Sequence, residues 1–132
     1  MITFVDTNIL LDVFLPDPDF GKRSLEHLEK AFHEGSLIIN VIIYAELAPQ
    51  FGSRNLLDST LAKLGIQMLF IEQEIAYTAG RKWKQYRKAG GKRDRILADF
   101  LIGAHAQSKA DILLSRDRGF YKKYFKGLKV VY

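Results

Sequence analysis

Apolar positions along the chain fall into short unbroken runs that alternate with longer stretches of helical spacing. Residues 2–5, 37–39, 66–71, 112–114 and 128–131 read as strands, because each is a nearly continuous apolar run, as strands covered on both faces are. Between them, residues 6–15 carry an apolar helix-like run that Pro16 stops. Residues 22–33 set Leu25, Leu28 and Phe32 at helical spacing and end at Gly35. Asn40 is placed to cap a helix containing Tyr44, Ala45, Glu46 and Leu47, and residues 55–64 form a further helix closed by Gly65. Residues 72–88 and 93–109 read as two long helices.

Strands that alternate with helices imply a parallel sheet with helices on both faces. The expected fold is therefore a three-layer α/β/α domain around a central, mostly parallel five-stranded sheet, with residues 1–132 as a single unit. In right-handed crossovers the strand C-termini and helix N-termini share one edge of the sheet, and ligands of open α/β sheets bind there.

Composition narrows the classes. A chain of 132 residues, 48% apolar and 27% charged, has the balance of one globular core and is neither disordered nor fibrous. No apolar run approaches the ~20 residues of a membrane span, and the N-terminus lacks a basic start and carries Asp6, unlike a signal peptide. There is no cysteine, which excludes disulfides, thiolate zinc sites and thiol nucleophiles and suits a reducing cytoplasm. Net charge is +5, unevenly spread. Residues 81–95 carry +7 and residues 116–129 carry +5, leaving the rest at −7. The aromatics Trp83, Tyr86, Phe120, Tyr121, Tyr124 and Phe125 are interleaved with these cations, a composition that favours a phosphate-rich polymer and equally describes a solvated helix face.

Four acids fall on the carboxyl edge. Asp6 follows the first strand, and Glu46 lies early in the helix after the second. Asp99 lies in the first half of the helix leading into the fourth strand, and Asp117 just past that strand. Each alone has an ordinary explanation as a cap, a surface acid or a turn residue. On the helix over residues 93–109, Ile96, Leu97, Phe100, Leu101 and Ala104 span an arc of about 140°, and Asp99 falls about 60° outside it beside Gly103. The bare glycine leaves a gap for a ligand or for the approach of another helix. Anions gathered at a pocket rim repel one another unless a cation relieves them. An all-oxygen donor set without cysteine or paired histidines points to Mg²⁺ or Mn²⁺. His27 and His33 are about 240° apart on one helix, and His105 reads as a surface or packing residue.

Asp6-Thr7-Asn8, the lone Glu46, the run from Leu97 to Ala106 containing Asp99, and Ser115-Arg116-Asp117-Arg118-Gly119-Phe120 together resemble the PIN-domain nucleases, and more narrowly the VapC-type toxins of toxin–antitoxin modules. The resemblance spans essentially the whole chain. It departs mildly at Ser115, where the family more often has threonine, and at Gly103, where alanine is usual. It implies a metal-dependent endoribonuclease acting on single-stranded RNA, with Asp6, Glu46, Asp99 and Asp117 as the acidic metal-binding and catalytic residues and Asn8 and Ser115 as supporting polar groups. It also implies a homodimer and a cognate antitoxin that blocks the site. Arg116 and Arg118, flanking Asp117, and Arg93 and Arg95 of the basic segment are the candidate phosphate contacts. Two other readings compete. One is a non-catalytic RNA-binding scaffold. The other is an aspartate-based phosphatase, which wants a second acid where Asn8 stands.

Overall fold

Five strands in the order β3-β2-β1-β4-β5 make the centre of the structure, a computed structural model that describes residues 1–92 and 95–132. In chain order the elements are β1 (Ile2–Val5), α1 (Thr7–Phe14), α2 (Gly21–Glu34), β2 (Ser36–Ile39), α3 (Val41–Leu47), a short 3-10 turn (Ala48–Gln50), α4 (Arg54–Lys63), β3 (Ile66–Met68), α5 (Gln73–Lys88), α6 (Leu97–Lys109), β4 (Ile112–Leu114), α7 (Arg118–Tyr124) and β5 (Val130–Val131). Every strand pair is parallel, with Phe4 opposite Ile38 on one side and Leu113 on the other. Phe4, Val5, Ile39 and Leu113 are fully or almost fully buried, as strands covered on both faces must be.

The chain steps from β1 outward through β2 to β3, then crosses back to place β4 and β5 on the far side of β1. Right-handed crossovers put α1 to α4 on one face and α5 to α7 on the other, completing the three-layer α/β/α arrangement. The direction of the chain reverses between β1 and β4, which makes their carboxyl ends the switch point of the sheet. Asp6 sits there, its N–H bonded to the carbonyl of Leu114 at 3.0 Å.

The structure differs from the sequence pattern at element ends. The third strand stops at Met68, although the N–H of Leu69 still reaches Ile39 O at 2.8 Å. The fifth is confined to Val130–Val131. The helix expected over residues 93–109 begins at Leu97, because Ile96 is extended and Asp99 caps its N–H at 3.1 Å. Arg93 lies outside the described residues. Ile96 is 58% exposed and Leu97 is exposed too, while Ile102, Gly103, His105 and Ala106 are buried with Phe100 and Ala104. The buried face of α6 is thus broader and rotated from the expected arc, because helices pack on it from more than one side. The gap at Gly103 is filled by the Phe125 ring, which a Cβ at Gly103 would meet at 2.3 Å.

Helix α7 was not anticipated from the pattern. Its signal is the pairing of Phe120 with Tyr124 and of Tyr121 with Phe125 at four-residue spacing, obscured by Gly119 and the lysines between them. These rings pack with Phe100 of α6 in an aromatic cluster, with Phe100 and Phe120 edge to face at 5.3 Å.

Candidate active site

Asp6 ends β1 and caps α1, accepting from the N–H of Thr7 at 2.8 Å. Its other oxygen accepts from Ser115 Oγ at 2.7 Å, just past the end of β4. Asn8, two residues along, donates to Ser115 Oγ (3.3 Å) and to Asp6 (3.4 Å), and its Oδ1 receives the N–H of Arg116 at 3.1 Å. Ser115 Oγ also accepts the N–H of Asp117 at 3.0 Å. The two strand ends are therefore laced together by one carboxylate, one amide and one hydroxyl. Thr7, between the two motif residues, donates to Glu46 Oε1 at 2.6 Å and so ties α3 to the same edge.

Asn40 caps α3 by accepting from Ile42 and Ile43, and its amide meets Nδ1 of the buried His105 at 3.2 Å. That contact links the helix of Glu46 to the helix of Asp99. His105 is a packing residue, edge-on to Phe4, and its burial holds its basicity down.

Tyr121 joins the acids electrostatically. Its phenol is buried among the carboxylates, and burial first, then the charges of Asp6, Asp99 and Asp117, push its ionisation far up. The hydroxyl is thus within electrostatic reach of three of the four predicted acids. Asp6 is 6% exposed, and its pKa is raised from the ordinary 3.8 to about 6. Burial is the main cause and the charge of Glu46 adds to it, against hydrogen bonds from Ser115 and Thr7 and the facing Tyr121 hydroxyl.

Asp117 is gripped by the guanidinium of Arg95, one nitrogen on each carboxylate oxygen, and Arg95 also lies over the ring of Phe120 at 4.3 Å. Among the described residues, no three acids or histidines stand close enough to hold an ion as they are placed. The donor chemistry nonetheless suits a hard divalent cation: every group is an oxygen, and Asp6 and Glu46 carry the mutual repulsion that such an ion relieves.

The arginines divide. Arg116, expected to hold phosphate, instead makes a two-point pair with Asp12 at 2.8 and 2.9 Å and lies 4.1 Å over Phe20. Asp12 is buried and accepts from Ser24 Oγ as well, so Arg116 is committed to packing α1 against α2. Arg118 is exposed at the start of α7. Of the aromatics, Trp83 and Tyr124 are partly buried, while Tyr86 is buried and packs edge to face on Tyr124 at 5.2 Å. Asp12 is a support residue that the sequence alone did not single out, and Thr7 and Tyr121, named there in the first motif and among the aromatics, were given no part in positioning the acids. Tyr121 lies one helical turn beyond Asp117, and that spacing was the available signal.

Comparison with known proteins decides the family, since the family profile described as PIN domain matches residues 3–126. The chain belongs to the PIN domain family. No match among curated proteins was found. Solved structures resemble this PIN domain over almost its whole length. VapBC2 from Rickettsia felis, bound to a promoter DNA fragment, has a TM-score of 0.74 at 20% identity, covering 99% of this chain and 98% of the other. VapBC-1 from nontypeable Haemophilus influenzae has a TM-score of 0.73 at 20% identity, covering 99% and 97%. VapC20 from Mycobacterium tuberculosis, described as a sarcin–ricin loop cleaving toxin, has a TM-score of 0.65 at 12% identity, covering 92% and 93%. Among the described residues of this PIN domain no helix is long and apolar enough to cross a membrane.

Proposed function

We infer that this PIN domain is a divalent-metal-dependent endoribonuclease, using Mg²⁺ or Mn²⁺ to cut single-stranded RNA, and the toxin of a type II toxin–antitoxin module. The observation that carries this reading is the convergence of Asp6, Asn8, Ser115 and Asp117 at the switch point. The family match supports nuclease chemistry, and the structural likeness to toxin–antitoxin proteins supports a toxin with a cognate antitoxin; a homodimer and a cytoplasmic setting belong to the same proposal. The description of VapC20 as a sarcin–ricin loop cleaving toxin supports a toxin that acts by cleavage.

Asp6, Glu46, Asp99 and Asp117 would hold the ion. The chemistry that a divalent cation supplies there is activation of water and neutralisation of charge developing at phosphorus. Ser115 and Asn8 fix the rotamer of Asp6, and Thr7 fixes that of Glu46. Arg95 and Arg118 supply positive charge beside Asp117, where substrate phosphate must approach an acidic pocket. Position 8 holds an amide, its carbonyl accepting Arg116 N–H, so no acid stands there to assist an aspartyl-phosphate mechanism.

Incubation of labelled single-stranded RNA with the protein, with Mg²⁺ or Mn²⁺ and with chelator, tests this. Cleavage that needs the metal and is lost in Asp6→Asn and Asp99→Asn is the expected result. RNA bound but uncut under either ion would favour the scaffold reading.

A further inference from the structure

A cleft of about 400 Å³ opens between the end of α5, the turn after it and α7. Its floor is aromatic, made by Tyr86, Phe120 and Tyr124, and its rim carries Lys92, Arg95 and Lys123. No acid lines it among the described residues. Tyr86 is fixed from below, its hydroxyl donating to Lys92 O at 2.6 Å, and Lys123 Nζ lies 5.3 Å over the Tyr124 ring. Glycines form much of the wall, so a ligand can approach backbone closely. Arg95 belongs both to this rim and to the grip on Asp117, so the cleft adjoins Asp117.

A cationic rim over an aromatic floor matches a group that joins a planar ring to a phosphate. The volume is within the range of small-ligand pockets. We propose that this cleft binds the nucleotide adjoining the scissile phosphate of single-stranded RNA. The base lies on the aromatic floor at Tyr124, and the phosphate is held by Lys92 and Lys123. Arg95 bridges this nucleotide to the cutting site. The inference rests on the ribonuclease reading for the word scissile, but not for nucleotide binding. Trp83, by contrast, opens onto a separate groove with Lys84, Arg87 and Lys88.

Gly119 provides the test. It lies on the cleft wall, and a Cβ there meets no atom within 4 Å, so a larger side chain crowds the cleft wall without disturbing the core. Fluorescence anisotropy of labelled hexauridylate, in chelator and over a salt series, reads binding without turnover. Gly119→Leu is expected to weaken binding roughly tenfold, the scale of one stacked base. Lys92→Ala and Lys123→Ala each reduce the slope of log K against log salt by about 0.7, and Lys30→Ala, remote from the cleft, does not. Uridine monophosphate displaces the probe at concentrations where inorganic phosphate does not. Wild-type binding by Gly119→Leu and both lysine variants, or equal displacement by phosphate, overturns the proposal. If those variants also cut RNA like wild type, the cleft fails and the ribonuclease stands. If wild type cuts nothing with Mg²⁺ or Mn²⁺ but the variants lose binding, the cleft stands and the ribonuclease fails.

Discussion

Arg95 closes on Asp117 with both arms of its guanidinium, while its flat face rests on Phe120. A carboxylate held this way is not available to a cation until the arginine moves. The pair is about a third exposed on the Asp117 side, so its strength is that of a screened ion pair, about 1 kcal/mol. Arg95→Ala is therefore expected to tighten Mn²⁺ binding about fivefold, followed by electron paramagnetic resonance of the free ion. The same substitution should weaken RNA binding. Unchanged Mn²⁺ affinity would mean that the grip does not oppose the ion.

Burial of Asp6 makes the metal-free fold sensitive to pH. With its pKa raised from 3.8 to about 6, the folded state binds more protons than the unfolded chain across that interval. The contribution to stability is full below the lower value and is lost as pH rises through the upper one, worth up to about 3 kcal/mol. In chelator, Asp6→Asn should melt higher than wild type at pH 7.5, and the advantage should vanish near pH 4. Equal melting temperatures at pH 7.5 would show that the carboxylate carries no burial cost.

Arg116 and Asp12 form the structural counterpart to the Arg95 grip. Asp12 is 4% exposed and Arg116 30%, so removing the arginine strands a buried acid. Arg116→Ala is expected to cost about 2 kcal/mol in denaturant unfolding, discounted from a fully buried pair because water reaches the guanidinium. RNA affinity of the folded protein should stay within about twofold of wild type, on the scale of a residue that makes no phosphate contact. A large loss of affinity with stability intact would return Arg116 to the substrate path.

Gly103 and Phe125 share one space. A methyl group on residue 103 would stand 2.3 Å from the Phe125 ring, well inside contact distance. Gly103→Ala should destabilise by about 1–3 kcal/mol, an overpacking cost. Phe125→Leu should recover at least about 1 kcal/mol of that in the double variant. Additive losses would mean that the ring moves aside freely.

Much of this was legible in the chain. The apolar runs gave all five strands, because burial on both faces removes the polar alternation that would blur them. Asp6, Glu46, Asp99 and Asp117 could be placed on one edge because strand order and crossover handedness restrict where a carboxyl end lies. Pairing choices were not legible. Arg116 and Arg95 both neighbour acids in space, yet only coordinates reveal that one serves Asp12 and the other Asp117. Helix α7 stayed hidden because its apolar positions hold only two turns and are interrupted by lysines. With it stayed hidden Tyr121, whose place among the acids depends on that helix. Gly103 read as an opening because no local pattern announces a phenylalanine arriving from 22 positions later.

The hydroxyl that steadies Asp6 lies 109 positions further along the chain. A ribosome releases the first strand well before the fourth, so the growing polypeptide carries half of the edge until β4 emerges. Products of interrupted translation that end before Ser115 therefore lack the group that fixes the Asp6 carboxylate, and with it a complete edge.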